Sequence, residues 1–278
     1  MVHSQMIAAG RNPQLIDIGA NLTHESFQPD FAAVMQRAAD SAVQRLIVTG
    51  TSIEATRAAI HLHRHWPDRL FATCGIHPHH AADLDDAAHE TLRELSAAAG
   101  VVAIGECGLD YYRNYAPREA QIAAFRRQLE LAVQVGKPVF LHQRDAHADF
   151  AAILREYRPA LAGGVAHCFT GHAAELEECL QMDLAIGITG WICDERRGRH
   201  LLPLMPHIPR GSLMIETDAP YLLPRSLKPA PRSRRNEPAF LPEVARMVAE
   251  ARKESFEELA AHTTAAAQDL FGLPAPAG

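Results

Sequence analysis

Val101-Val102-Ala103-Ile104-Gly105-Glu106 is a strand-sized apolar run that stops in a carboxylate, and three further runs share its form. Pro138-Val139-Phe140-Leu141-His142 and Gly164-Val165-Ala166-His167 stop in imidazoles, and Leu213-Met214-Ile215-Glu216-Thr217-Asp218 stops in acids. An apolar run followed at once by a charged or imidazole group is the pattern of a parallel strand leaving the core. In a (β/α)8 barrel all such exits lie on one face, so ligands far apart in sequence converge there. The pattern predicts one metal centre built from Glu106, His142, His167 and Asp218.

Working outward, similar runs begin near Leu15, Arg45, Leu70 and Leu184, which makes eight strand candidates. Amphipathic, Ala-rich segments lie between them. Arg118 to Val135 is an example, with Phe125, Leu129 and Ala132 at helical spacing. Regular strand–helix alternation predicts a parallel sheet, and eight units fit a closed α/β barrel better than an open sheet. The chain has 278 residues and no low-complexity linker, so it reads as a single (β/α)8 TIM barrel over residues 14–273. Residues 1–13 read as a flexible N-terminal extension and 274–278 as a frayed tail.

The composition is that of an ordinary globular protein, 47% hydrophobic and 22% charged. A formal charge of −6 gives no global attraction for polyanions, so a nucleic-acid contact requires a local basic patch. The five cysteines are odd in number and form no C-x-x-C pair, which argues for a reducing compartment and against a zinc ribbon. Cys107 and Cys168, each following a ligand candidate, are expected to pack between strands and helices. The longest apolar stretch, Leu184 to Cys193, is too short to cross a bilayer, so no membrane partner is expected. The expected setting is the cytoplasm, and the expected state a monomer.

The groups following the strands carry the chemistry. Glu106 needs a cation or hydrogen bonds to be tolerated at a barrel mouth. Lone histidines are ordinarily structural, but His142 and His167 at consecutive strand ends, flanked by carboxylates, read as ligands. Mixed imidazole and carboxylate donors suit zinc or manganese, with Mg2+ favoured as carboxylate and water ligands increase. Asp218 closes the set and is placed to accept a proton from water. His77, in Gly75-Ile76-His77-Pro78-His79-His80, reads as a further ligand or a phosphate contact. His61, His63 and His65 cluster on a helical stretch without a strand exit, and their spacing fits a solvated face.

The basic stretch Arg225 to Asn236 follows Asp218 closely, and its prolines forbid a regular helix. Arg225, Arg234 and Arg235 are therefore candidates for phosphate binding, since guanidinium forks onto phosphate oxygens. Arg113 and Arg144, each soon after a ligand candidate, are further candidates.

Several segments resemble the TatD family of metal-dependent deoxyribonucleases. They include Asp17-Ile18-Gly19-Ala20-Asn21-Leu22-Thr23, Gly75-Ile76-His77-Pro78-His79, Gly105-Glu106-Cys107-Gly108-Leu109-Asp110, His167-Cys168-Phe169-Thr170-Gly171 and Glu216-Thr217-Asp218-Ala219-Pro220-Tyr221-Leu222. The resemblance extends over nearly the whole chain after its first dozen residues. It implies an amidohydrolase-like TIM barrel, Mg2+-dependent 3′→5′ exonuclease action on single-stranded DNA and RNA, and a role in DNA repair or nucleic-acid turnover. It sets Glu106, His142, His167 and Asp218 on metal-binding positions, and His77 on an active-site position. One departure stands out. Many relatives carry His-x-His on the first strand, where this chain has Gly19 and Asn21. Asn21 offers only a neutral carbonyl oxygen, so one firmly bound ion is expected and a second is uncertain.

These readings predict a phosphodiesterase in which Asp218, Glu106 and His77 act at the reacting centre. Two rivals remain at this level: another hydrolase on the same barrel, cleaving an aminoacyl ester, amide or lactone, and a non-catalytic nucleic-acid-binding protein. The basic segment favours a phosphate-bearing substrate over the first, and an open ligand set disfavours the second.

Overall fold

The computed structural model describes residues 14–274, so the expectations for residues 1–13 and 275–278 lie outside it. Eight strands, β1 (Leu15–Ala20), β2 (Val43–Val48), β3 (Leu70–Cys74), β4 (Val101–Asp110), β5 (Val139–Arg144), β6 (Gly164–Ala166), β7 (Ala185–Ile188) and β8 (Leu213–Ile215), follow one another in spatial order. Every neighbouring pair is parallel. A parallel bridge between Ala20 and Ala219 closes the ring, supported by Asn21 N donating to Ala219 O at 2.7 Å. The expected barrel is thus the observed one.

Eight α-helices surround the sheet: α1 (Phe31–Asp40), α2 (Ile53–His65), α3 (Asp86–Ser96), α4 (Arg118–Val135), α5 (His147–Tyr157), α6 (Ala173–Gln181), α7 (Leu241–Arg252) and α8 (Phe256–Phe271). Ser52 and Asp85 cap α2 and α3 with side-chain oxygens, and Ser255 with Glu258 forms a capping box on α8. In α4, Phe125, Leu129 and Ala132 are fully buried, as their spacing requires. No described helix is long and apolar enough to cross a membrane.

Two apolar layers result. Ile16, Ile18, Ile47, Phe71, Ala103, Phe140, Val165, Ala185 and Met214 fill the barrel interior, and Ala267, Phe271 and Leu273 from the end of α8 pack beneath them. The larger layer lies between the sheet and the helices. The interior is packed shut below, so the functional groups are confined to the opposite mouth.

Two strands run further than the sequence suggests. β4 does not stop before Glu106 but continues to Asp110, and β5 continues past His142 to Arg144. The β4–β5 pairing shifts register between Ile104 and Cys107, so Glu106 sits on a bulge inside a strand. Bulges re-aim side chains beside active sites. Two glycines make this approach possible: a β-carbon at Gly105 would lie 2.1 Å from Phe140 O, and one at Gly108 1.9 Å from His142 O, both at positive φ.

Candidate metal-dependent active site

Glu106 Oε1 is the point on which the mouth converges. His77 Nε2 lies 3.3 Å from it, His142 Nδ1 2.9 Å and His167 Nε2 2.8 Å. Glu106 comes from the β4 bulge, His77 from the end of β3, His142 from β5 and His167 from the end of β6. His77, Glu106 and His142 each offer a donor atom within 4.8 Å of the others, the compact group able to hold a metal ion. The expected set included His167 and Asp218 instead of His77. His167 meets Glu106 directly, whereas Asp218 stands on the wall of the same cavity, where Asn21 Nδ2 donates to its Oδ1 at 3.0 Å.

The donor chemistry fits a cation. Three imidazole nitrogens face a single carboxylate oxygen, more donors than its lone pairs accept well. His142 Nε2 is buried without a hydrogen-bond partner, although Asp110 Oδ2 lies 3.4 Å away. A divalent ion would take up these nitrogen and oxygen lone pairs together.

Burial opposes charge on Glu106, but His167, His77 and His142 outweigh it and hold its carboxyl well below the usual carboxylate range. His167 rises well above its ordinary value because Glu106 and Glu216 overcome the effect of burial. His142 is raised in the same way by Asp110 and Glu106. Burial pulls His77 down to about 4, so it is a neutral imidazole near pH 7. Asp218 is pushed up to about 7 by burial; Glu106 and Glu216 add to this, and His167 opposes it. It also holds a positive φ of 53°, a backbone strain characteristic of functional positions.

Carboxylates behind the imidazoles set their orientation. Glu216 Oε2 lies 3.4 Å from His167 Nδ1, and the Glu216 carboxylate also accepts from Cys168 N at 2.5 Å. Asp110 lies 2.8 Å from His79 Nε2 and accepts from Arg113 N at 2.8 Å. Such partners fix which ring nitrogen faces the centre. Glu216 opened the acidic end of the fourth run, but nothing in the run marked it as the orienting group. Asp110 lies in the sequence motif, yet its role required the β4 extension.

The cavity above this group measures about 580 Å³ and is lined by Arg113, Arg144 and Arg197, with Tyr112, Trp191 and Tyr221. Arg197 was missed in the sequence because no ligand candidate precedes it nearby. Of the predicted phosphate contacts, Arg113 and Arg144 line the cavity; Arg225, Arg234 and Arg235 do not. Arg225 pairs with Glu195 at 2.9 Å, and Arg234 is exposed. Arg235 forks onto Asp30 at 2.8 Å and lies over the Phe27 ring. After Asp218 the chain packs against the segment following β1, where Asp30 takes up Arg235 and keeps it off the cavity wall.

Cys107 packs in the outer layer as expected, but Cys168 does not. Its φ of 46° turns it to the cavity wall, 3.6 Å from Thr189 Oγ1. His63 is structural, with Nδ1 2.6 Å from Leu70 O, and the His61 and His65 rings pack at 4.4 Å on α2.

The family model for TatD related DNases matches residues 16–272. The chain belongs to the TatD-related DNase family. A relative from Pantoea vagans is 51% identical over 259 residues, 93% of this chain and all of the relative; one from Erwinia billingiae is 50% identical over 261 residues, 94% and all. Both bear the name 3′-5′ ssDNA/RNA exonuclease TatD. The crystal structure of a TatD homologue from Escherichia coli K12 superposes with a TM-score of 0.85 at 30% identity, covering 94% of this chain and 99% of that one. A TatD family hydrolase from Entamoeba histolytica gives 0.86 at 26% identity, covering 95% and 100%. Membership in the TatD family makes this chain a nuclease, a hydrolase of phosphodiester bonds.

Proposed function

We propose that this chain is a divalent-cation-dependent 3′→5′ exonuclease on single-stranded DNA and RNA. The observation that carries the reading is the convergence of three imidazoles on Glu106 Oε1 beneath an arginine-lined cavity. The names of the half-identical relatives support the polarity and substrate. Mg2+ is the proposed ion, with Mn2+ or Zn2+ as alternatives the donor set also accepts.

Glu106, His142 and His77 would hold the ion, with His167 beside them, 2.8 Å from the same Glu106 oxygen. When bound there, a divalent cation acidifies water and stabilises charge on phosphoryl oxygens. The chain's own residues do the rest. Asp218, held by Asn21 on the cavity wall, is placed to take the proton of the attacking water. His77 Nδ1 accepts from His79 N at 3.1 Å, so when His77 is not engaged as a ligand its Nε2–H donates to a phosphoryl oxygen. Arg113 and Arg144 have no carboxylate partner among the described residues and supply charge-assisted hydrogen bonds to phosphate. This unneutralised charge favours a phosphodiester over the amide or lactone rivals.

The test is a time course with 5′- and 3′-labelled oligonucleotides across Mg2+, Mn2+ and Zn2+, run on wild type, Asp218→Asn and Glu106→Ala. Each substitution should cost about 100-fold or more in rate, the scale of a lost proton acceptor. Full residual activity in both would reject the reading, and product ladders would report the polarity.

A further inference from the structure

Among the described residues, the large apolar side chains left exposed are three tyrosines, and all stand on the loops of the mouth: Tyr112 (57% exposed), Tyr115 (68%) and Tyr221 (53%). Single exposed rings are ordinary, but exposed rings gathered around one cavity mark a binding surface. Their positions follow from the topology. Tyr112 and Tyr115 leave the end of β4, and Tyr221 follows β8. In a ring of eight ordered strands, β4 and β8 are diametrically opposed. Tyr112 and Tyr221 therefore enter from opposite strands the one cavity that also holds Glu106, His77, His142 and His167.

From the β4 exit an alternating chain of cations and rings runs along the wall to the segment after β7. Arg113 Cζ lies 5.7 Å from the Tyr112 centroid, and Arg144 Cζ 4.2 Å from Tyr112 and 5.6 Å from Trp191. Arg197 Cζ lies 4.3 Å from Trp191. The packing holds Tyr112 in place while leaving more than half of it exposed. On the β8 side, Tyr221 is held edge-on by His24, with ring centroids 5.9 Å apart. Both rings line the cavity, and Arg113 and Arg144 supply positive charge beside Tyr112, whereas Arg197 is paired with Asp194 at 2.9 Å.

We propose that Tyr112 and Tyr221 are stacking platforms for the two nucleobases that flank the scissile phosphate. The proposal rests on the nuclease reading of this site. A base held in a duplex has both faces covered by its neighbours, so a strand must be unpaired and splayed at both positions to use both platforms. Aromatic rings accept any base face, so the clamp selects single strands without selecting sequence. Arg113 and Arg144 orient the backbone beside Tyr112, and the strand ends beside Tyr221.

Tyr112→Leu and Tyr221→Leu keep apolar bulk and remove the ring. Binding of fluorescein-labelled ten-residue oligonucleotides is read by anisotropy in EDTA, so that no turnover intervenes. The strands are intact, or carry one abasic residue at the terminal or second position, at the 3′ end in one series and the 5′ end in the other. Each variant should weaken binding of the intact strand about tenfold or more, the scale of one lost base stack. That penalty should vanish for one abasic position, and the two variants should select different positions. Equal penalties on every strand, or none, overturn the clamp. Turnover with added metal is scored separately: an inactive wild type that still shows this binding pattern would refute the nuclease reading and support the clamp.

Discussion

Gly19 leaves the space that the Glu216 carboxylate fills: a β-carbon at position 19 would lie 2.2 Å from Glu216 Oε2. A side chain at position 19 has no room here while Glu216 holds this place behind His167. Asn21, the second departure, is likewise committed, donating to Asp218. The first strand thus brings to the mouth one vacated volume and one neutral donor.

Gly19→Ala should therefore destabilise the fold by about 1–3 kcal/mol, as overpacking a buried site does. Glu216→Ala removes the obstructing oxygen, so the double variant should cost less than the two single variants added together. Urea unfolding of the four proteins measures this coupling. Strict additivity would mean that the backbone, not Glu216, fixes position 19.

Asp110 is expected to act through the imidazoles. Asp110→Asn keeps its shape but loses the charge beside His79 and His142, so divalent-cation affinity should fall about 10- to 100-fold. Calorimetric titration with Mn2+ reads this without any substrate, and unchanged affinity would show that Asp110 only anchors the loop through Arg113 N.

Asp17 sets a pH dependence of stability. It is fully buried beneath the β8 exit, accepting from Thr217 N at 2.9 Å and Thr217 Oγ1 at 2.5 Å. Burial nevertheless pushes its carboxyl up to about 7 from 3.8, against those hydrogen bonds. A raised folded value means that its contribution is fully present below about 4 and is lost as pH rises through about 7, amounting to no more than about 4 kcal/mol. Asp17→Asn should flatten the stability curve over that window. An identical slope in both proteins would show that Asp17 is ionised throughout.

The arginines should separate by location. Arg144→Ala should weaken oligonucleotide binding and lower the slope of log K against log salt by about 0.7, one single-strand phosphate contact. Arg235→Ala should leave that slope alone and lower stability, because Arg235 and Arg37 hold Asp30 below the usual carboxylate range. A depressed value gives stability present above the unfolded pKa and lost as pH falls, and partial exposure limits each pair to about 1 kcal/mol. Salt titrations and acid unfolding of both variants check this. An equal change of slope in both would put Arg235 on the strand path.

The sequence by itself determined the barrel and most of its centre. Eight apolar runs separated by helical spacing admit little but a closed parallel sheet, and strand periodicity turns the groups at their exits to one face, so Glu106, His142 and His167 were legible as neighbours. What it left open depends on where loops return and how strands register. Arg235 follows Asp218 by 17 residues yet packs on Asp30, while Arg197, with no strand exit just before it, reaches the mouth. The β4 bulge that aims Glu106, the Glu216 carboxylate behind His167 and the opposed tyrosines arise from contacts between segments tens to hundreds of residues apart. Periodicity is a local property of the chain and tells which face a side chain takes; the partner it finds there is fixed only when the barrel closes.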